Sequence, residues 1–127
     1  MKIEVSIGEL VDKVTILEIK TEKFKDAEKL ANVKKEYTLL RADMESLGIT
    51  VNSDVFMRLK EVNTRLWHIE DDIRIEEYNK RFGDRFIELA RSVYVENDTR
   101  ADIKKEINIK FGSSLVEEKE YVNYKNN

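Results

Sequence analysis

A chain of 127 residues has the length of one domain and can bury roughly two thirds of the surface that its unfolded form exposes. With no proline, four glycines and no cysteine, it lacks the turn supply of a β-sandwich or barrel and has no disulfide, thiolate metal site or cysteine nucleophile. Its net charge is −3, and the lysines alternate with glutamates instead of forming a stripe, so no nucleic-acid partner is expected.

Hydrophobic residues make up 41% and charged residues 39%, too apolar for a disordered chain and more charged than an ordinary globular one. Slender helices, with much solvated surface for each buried stripe, accommodate both values. The expected fold is all-α: an antiparallel helical hairpin or bundle of about four helices. It would form a single domain with an N-terminal arm or short strand (1–6), a helical bundle (7–112) and a C-terminal tail (113–127). No apolar run approaches the roughly 18 residues of a membrane span, and Met1-Lys2-Ile3-Glu4-Val5 has no apolar signal core. A cytoplasmic location without a membrane partner is therefore the expectation.

Ile3, Val5 and Ile7 alternate with polar residues, as in a short strand or extended arm. Ser6 and Glu9 match a capping box that opens a helix from about Ile7 to Phe24. Leu10, Val14, Leu17, Thr21 and Phe24 form its main stripe, with Val11, Ile16 and Ile19 outside it. Apolar residues on several sides predict the central helix. Asp26 is placed to cap a second helix, from Ala27 to Leu47, with a stripe through Leu30, Val33, Tyr37, Leu40, Met44 and Leu47. That stripe is out of phase with the first and sets a break near Lys25-Asp26, although one kinked helix also fits. Gly48 ends it. Ser53 or Asp54 then caps a third helix carrying Val55, Leu59, Val62, Leu66, Ile69 and Ile73. Two regular stripes on either side of a short loop read as an antiparallel hairpin with Leu40 and Leu66 buried in its seam. Gly83 closes the third helix, Asp84 caps the fourth from Arg85 to Phe111, and Gly112 stops it. The tail from Leu115 is acidic and then aromatic.

Acid gathers on the third helix at Glu70, Asp71, Asp72, Glu76 and Glu77, where Asp72 and Glu76 share a face as Mg²⁺ carboxylates would. Arg74, Lys80 and Arg81 stand one turn after Glu70, Glu76 and Glu77, so a salt-bridged, solvated face is the stronger reading. No metal and no other cofactor is expected. His68, the only histidine, lacks the Glu-x-x-His spacing of a di-iron site. Asp72 one turn on invites a general-base reading, but a hairpin flank beside Trp67 is the plainer one.

The most informative stretch lies on the fourth helix. Phe86, Ala90, Val93 and Phe111 share one side, and Asn97, Arg100, Lys104 and Asn108 fall within about 60° of it. Buried charge requires partners. Three readings are open. Glu9, Asp12 or Glu18 of the first helix pairs with Arg100 and Lys104; or these side chains bind a carboxylate or phosphate; or the helix breaks at Asn97-Asp98 and the wheel does not apply. Lys13 and Arg100 are a further pair of cations able to hold two carboxylates. Internal pairing is the expectation. The candidate polar or anion-binding cluster is Glu9, Asp12, Lys13, Asn97, Arg100, Lys104 and Asn108, with no catalytic role assigned.

The run Ser6-Ile7-Gly8-Glu9-Leu10-Val11-Asp12-Lys13-Val14-Thr15-Ile16-Leu17-Glu18-Ile19-Lys20 resembles the opening of a small bacterial domain family without an assigned activity. The resemblance continues through Lys29-Leu30-Ala31-Asn32-Val33, Leu66-Trp67, Ile69-Glu70-Asp71-Asp72-Ile73-Arg74 and Phe86 to Tyr94. It ends with Asn97-Asp98, Arg100-Ala101, Lys104, Ile107-Asn108 and Glu117-Glu118-Lys119. The family transfers no catalytic residue. Its association with sugar-transferase contexts tilts the anion reading towards phosphorylated or nucleotide-sugar ligands. The expected function is a non-enzymatic interaction or structural module, self-associating as a homodimer, because Met57, Trp67 and Ile75 lie off the third stripe. The alternative is a small-molecule binder or minor enzyme centred on Arg100 and Lys104.

Overall fold

The computed structural model describes residues 1–125, and among them four helices: α1 (Ile7–Lys23), α2 (Ala27–Ser46), α3 (Asp54–Tyr78) and α4 (Asp84–Lys110). Residues 1–5 form no strand. Ser6 completes half of the expected capping box, its Oγ accepting the Glu9 amide at 3.1 Å. The Glu9 carboxylate does not close the box; it turns to Lys104 instead. Phe24 leaves the helical region, and Asp26 accepts the Lys29 amide at 2.9 Å, so α1 and α2 are separate helices. Gly48, at φ 83°, ends α2 where a Cβ would be strained.

Helix α1 is central. It packs against α2, α3 and α4, whereas α2 packs on α1 alone. The hairpins are therefore α1–α2 and α3–α4, and the expected α2–α3 hairpin does not form. The reason is the width of each apolar surface. The α2 stripe is narrow enough for one neighbour, while α1 carries buried residues on several sides: Val11, Val14, Leu17 and Ile19. The loop after α2 crosses the end of the bundle and buries Ile49 completely. Met44, Ile49, Val55, Phe56, Leu59, Val62 and Leu66 share one core with Val11, Val14, Ile103 and Ile107. Leu66 is buried as expected, but Leu40, on the outlying α2, is only half-buried.

Helix α3 stops at Tyr78, before the expected Gly83. Lys80 takes up φ 55°, its amide donates to Glu77, and the Arg81 amide reaches back to Glu76 at 2.9 Å. This is a Schellman cap built on a lysine. Gly83 is the residue before α4, and Asp84 is its first helical residue instead of its cap. Helix α4 runs unbroken through Asn97-Asp98. Beyond it the tail turns back along α4: Glu117 meets Lys104 at 3.4 Å, Glu118 meets Lys105 at 3.2 Å, and the Tyr124 hydroxyl donates to Asp98. Among the described residues no helix is long and apolar enough to cross a membrane.

Candidate functional site

Because α4 is continuous, its polar residues do fall on the buried side, and α1 supplies their partners. Asp12 is 1% exposed. Arg100 grips it in a fork, Nε to Oδ1 at 2.9 Å and Nη2 to Oδ2 at 2.5 Å. The third guanidinium nitrogen, Nη1, donates to Asn97 Oδ1 at 3.3 Å. Asn63 of α3 donates from one Nδ2 to both Asp12 Oδ1, at 2.9 Å, and Thr15 Oγ1, at 2.8 Å. The Thr15 hydroxyl in turn donates to the Asp12 carbonyl. Lys104 donates to Glu9 at 2.7 Å, stands 3.8 Å from Asp12, and is also met by Glu117 of the tail.

The electrostatics follow from this arrangement. Hydrogen bonding to Asp12 holds the Arg100 guanidinium above its ordinary pKa, against the opposing effect of burial. At Lys104 burial pulls the ammonium downward. The Glu9 hydrogen bond and the charges of Asp12, Glu9 and Glu117 outweigh that and raise it. Two cations thus face three carboxylates, and among the described residues no buried side-chain nitrogen or oxygen lacks a partner. Beside the cluster an open groove is floored by Ile16, Ile19, Leu66 and Trp67, with Arg100 on its rim. The other cation there, Arg74, is paired with Glu70.

Six of the seven candidate residues come together at the α1–α4 seam. Asn108 sits one level down from the ion pairs, where its Oδ1 accepts the Gly8 amide at 2.7 Å. Gly8 is what lets the helices approach: a Cβ there would stand 2.5 Å from the Lys104 carbonyl oxygen. Lys13 is the exception. It points away from α4, half-exposed, with Glu36 of α2 at 3.7 Å. On a helix it lies 100° from Asp12, and that rotation carries it to the α2 side. Asn63, Thr15, Gly8 and Glu117 belong to the cluster and were not anticipated. Asn63 carried a signal, an amide beside Val62 on the buried side of α3. Glu18 forms a separate knot, accepting from Tyr37 and Lys60 at 2.7 Å each.

The acidic stretch of α3 is a salt-bridged face. Glu70 pairs with Arg74 as expected, while Arg81 takes Glu76 and Lys80 takes Glu77, an exchange caused by the helix ending at Tyr78. Asp72 faces Arg85 of α4 at 3.5 Å. No three acidic, histidine or cysteine side chains are grouped to hold a metal among the described residues. His68 is exposed on the outer side of α3.

A family model described as a family of unknown function, DUF6165, matches residues 1–125. The chain belongs to that family. No curated protein and no solved structure matches it detectably. DUF6165 membership carries no residue role, so the chemistry of the site rests on the geometry above.

Proposed function

We propose that the chain is a non-enzymatic interaction module that acts by associating with itself. The observation that carries this reading is where the apolar side chains lie. Met57 and Ile75 of α3 are 58% and 52% exposed, and Tyr78 is 86% exposed, on a helix whose other side is already committed to the core. Apolar residues on two sides of a helix call for two contacts. The polar seam supports the same reading from the other direction. An anion site needs cations free to receive a ligand, and Arg100 and Lys104 are both engaged by carboxylates within the chain.

The thermal midpoint, measured over about a hundredfold range of protein concentration and with or without inorganic phosphate, separates the two functions. Mass action raises the midpoint of a self-associating chain with its own concentration. That rise, with no response to phosphate, is the expected result. A midpoint indifferent to protein concentration but raised by phosphate would replace this reading with the anion-binding one.

A further inference from the structure

Met57, Thr64, Asp71 and Tyr78 stand seven residues apart along α3, with Glu61, His68 and Ile75 interleaved. On a helix these positions form one stripe, directly opposite the buried Val55, Leu59, Val62 and Leu66. The stripe is about 32 Å long at 1.5 Å per residue. It is apolar at its ends and charged in its middle.

Resting on the self-association reading, we propose that a second copy of the chain packs antiparallel on this stripe, about a twofold axis between Ile69 and Glu70. The two helices then overlap from Glu61 to Tyr78, and Met57 comes beside the exposed Phe82 that follows the second copy's α3. Charge selects the arrangement. In that register His68 faces Asp71 of the second copy and Thr64 faces Ile75. Glu61 comes beside the Tyr78 hydroxyl. Along the flanks Arg65 meets Asp72, and Trp67 meets Arg74, a guanidinium over an aromatic ring. Each contact occurs twice by symmetry: the Arg65–Asp72 pair joins opposite charges, and His68 offers a ring N–H to the Asp71 carboxylate. A parallel pairing would instead set Glu61 against Glu61 and Asp71 against Asp71. An antiparallel pairing displaced by one heptad would set Glu61 against Asp71 in one direction, and Asp72 against Asp72 and Arg74 against Arg74 in the other. Like charges directly opposed are what such interfaces avoid. The flanking groups are within reach: Asp72 and Arg65 are both about half-exposed at their side chains.

Charge reversal of the full chain tests the register. Arg65→Asp and Asp72→Arg each place like charges across the axis twice, and each should raise the dimer dissociation constant more than about tenfold by sedimentation velocity. Combining them restores opposite charges and should return the constant to within about threefold of wild type. A merely structural role for Arg65, which also pairs with Glu61 and Glu96, would not be rescued by Asp72→Arg. Should Arg65→Asp lose its helical circular dichroism, His68→Asp serves instead, because it sets acid against Asp71 without touching an internal ion pair. It should weaken the dimer alike. A wild-type dimer indifferent to these reversals, or a double variant no better than the singles, overturns the register and leaves self-association standing. A wild type that is monomeric throughout overturns both.

Discussion

Asp12 decides the character of the α1–α4 seam. A carboxylate 1% exposed would be costly alone, and it is held here by a forked arginine, an amide and a nearby ammonium. Removing one member of such a set costs more than the set gains over an apolar core, since the remaining charge stays buried without its partner. Arg100→Ala should therefore destabilise the fold by about 3–5 kcal/mol, read from the urea midpoint. Arg100→Lys should recover only part of this, because an ammonium cannot form the fork. A loss below about 1 kcal/mol for Arg100→Ala would show that Asp12 has another adequate partner. The interruption of the α4 stripe by Asn97, Arg100, Lys104 and Asn108 was legible in the sequence, as were the acids Glu9 and Asp12. Asn63 and Thr15 were not, because a single amide or hydroxyl beside a stripe reads as its edge until the facing helix is known. Glu117 was not either, since the return of an irregular tail along α4 leaves no periodic signal.

At the scale of the elements, the caps explain both the successes and the errors. Ser6 and Asp26 accept amides as their sequence positions imply, and Gly48 and Gly112 have the positive φ that their lack of Cβ allows. The end of α3 is different, because Lys80 does there what glycine usually does. Its left-handed backbone is strained by its Cβ, by about 1–2 kcal/mol, and glycine would remove that strain while adding freedom to the unfolded chain. Lys80→Gly should yield a net gain of about 0.5 kcal/mol, a rise of about 2 °C in the thermal midpoint. Lys80→Ala, which keeps the strain, should give none. A midpoint lowered by the glycine would mean that the Schellman cap does not persist in solution.

Across the whole molecule, the stripes predicted helices well and partners less well. The all-α class and the central place of α1 follow from residues such as Val11, Val14 and Ile19, which no single neighbour could cover. The pairing of α2 with α1 instead of α3 was hidden, because the spacing of Leu40 or Leu66 states that a face is buried and not what buries it. The same physics leads outward. Inside, the charges are paired and, among the described residues, the buried polar side chains are satisfied; outside, α3 presents Met57, Ile75 and Tyr78 with His68 and Asp71 between them. A second copy of the chain is proposed to cover that face. Sedimentation equilibrium of the wild-type chain at tens of micromolar tests it most directly. A dimerising chain should show an apparent mass rising with concentration from 15.0 kDa towards twice that value; a mass fixed at the monomer value throughout would rule the second copy out.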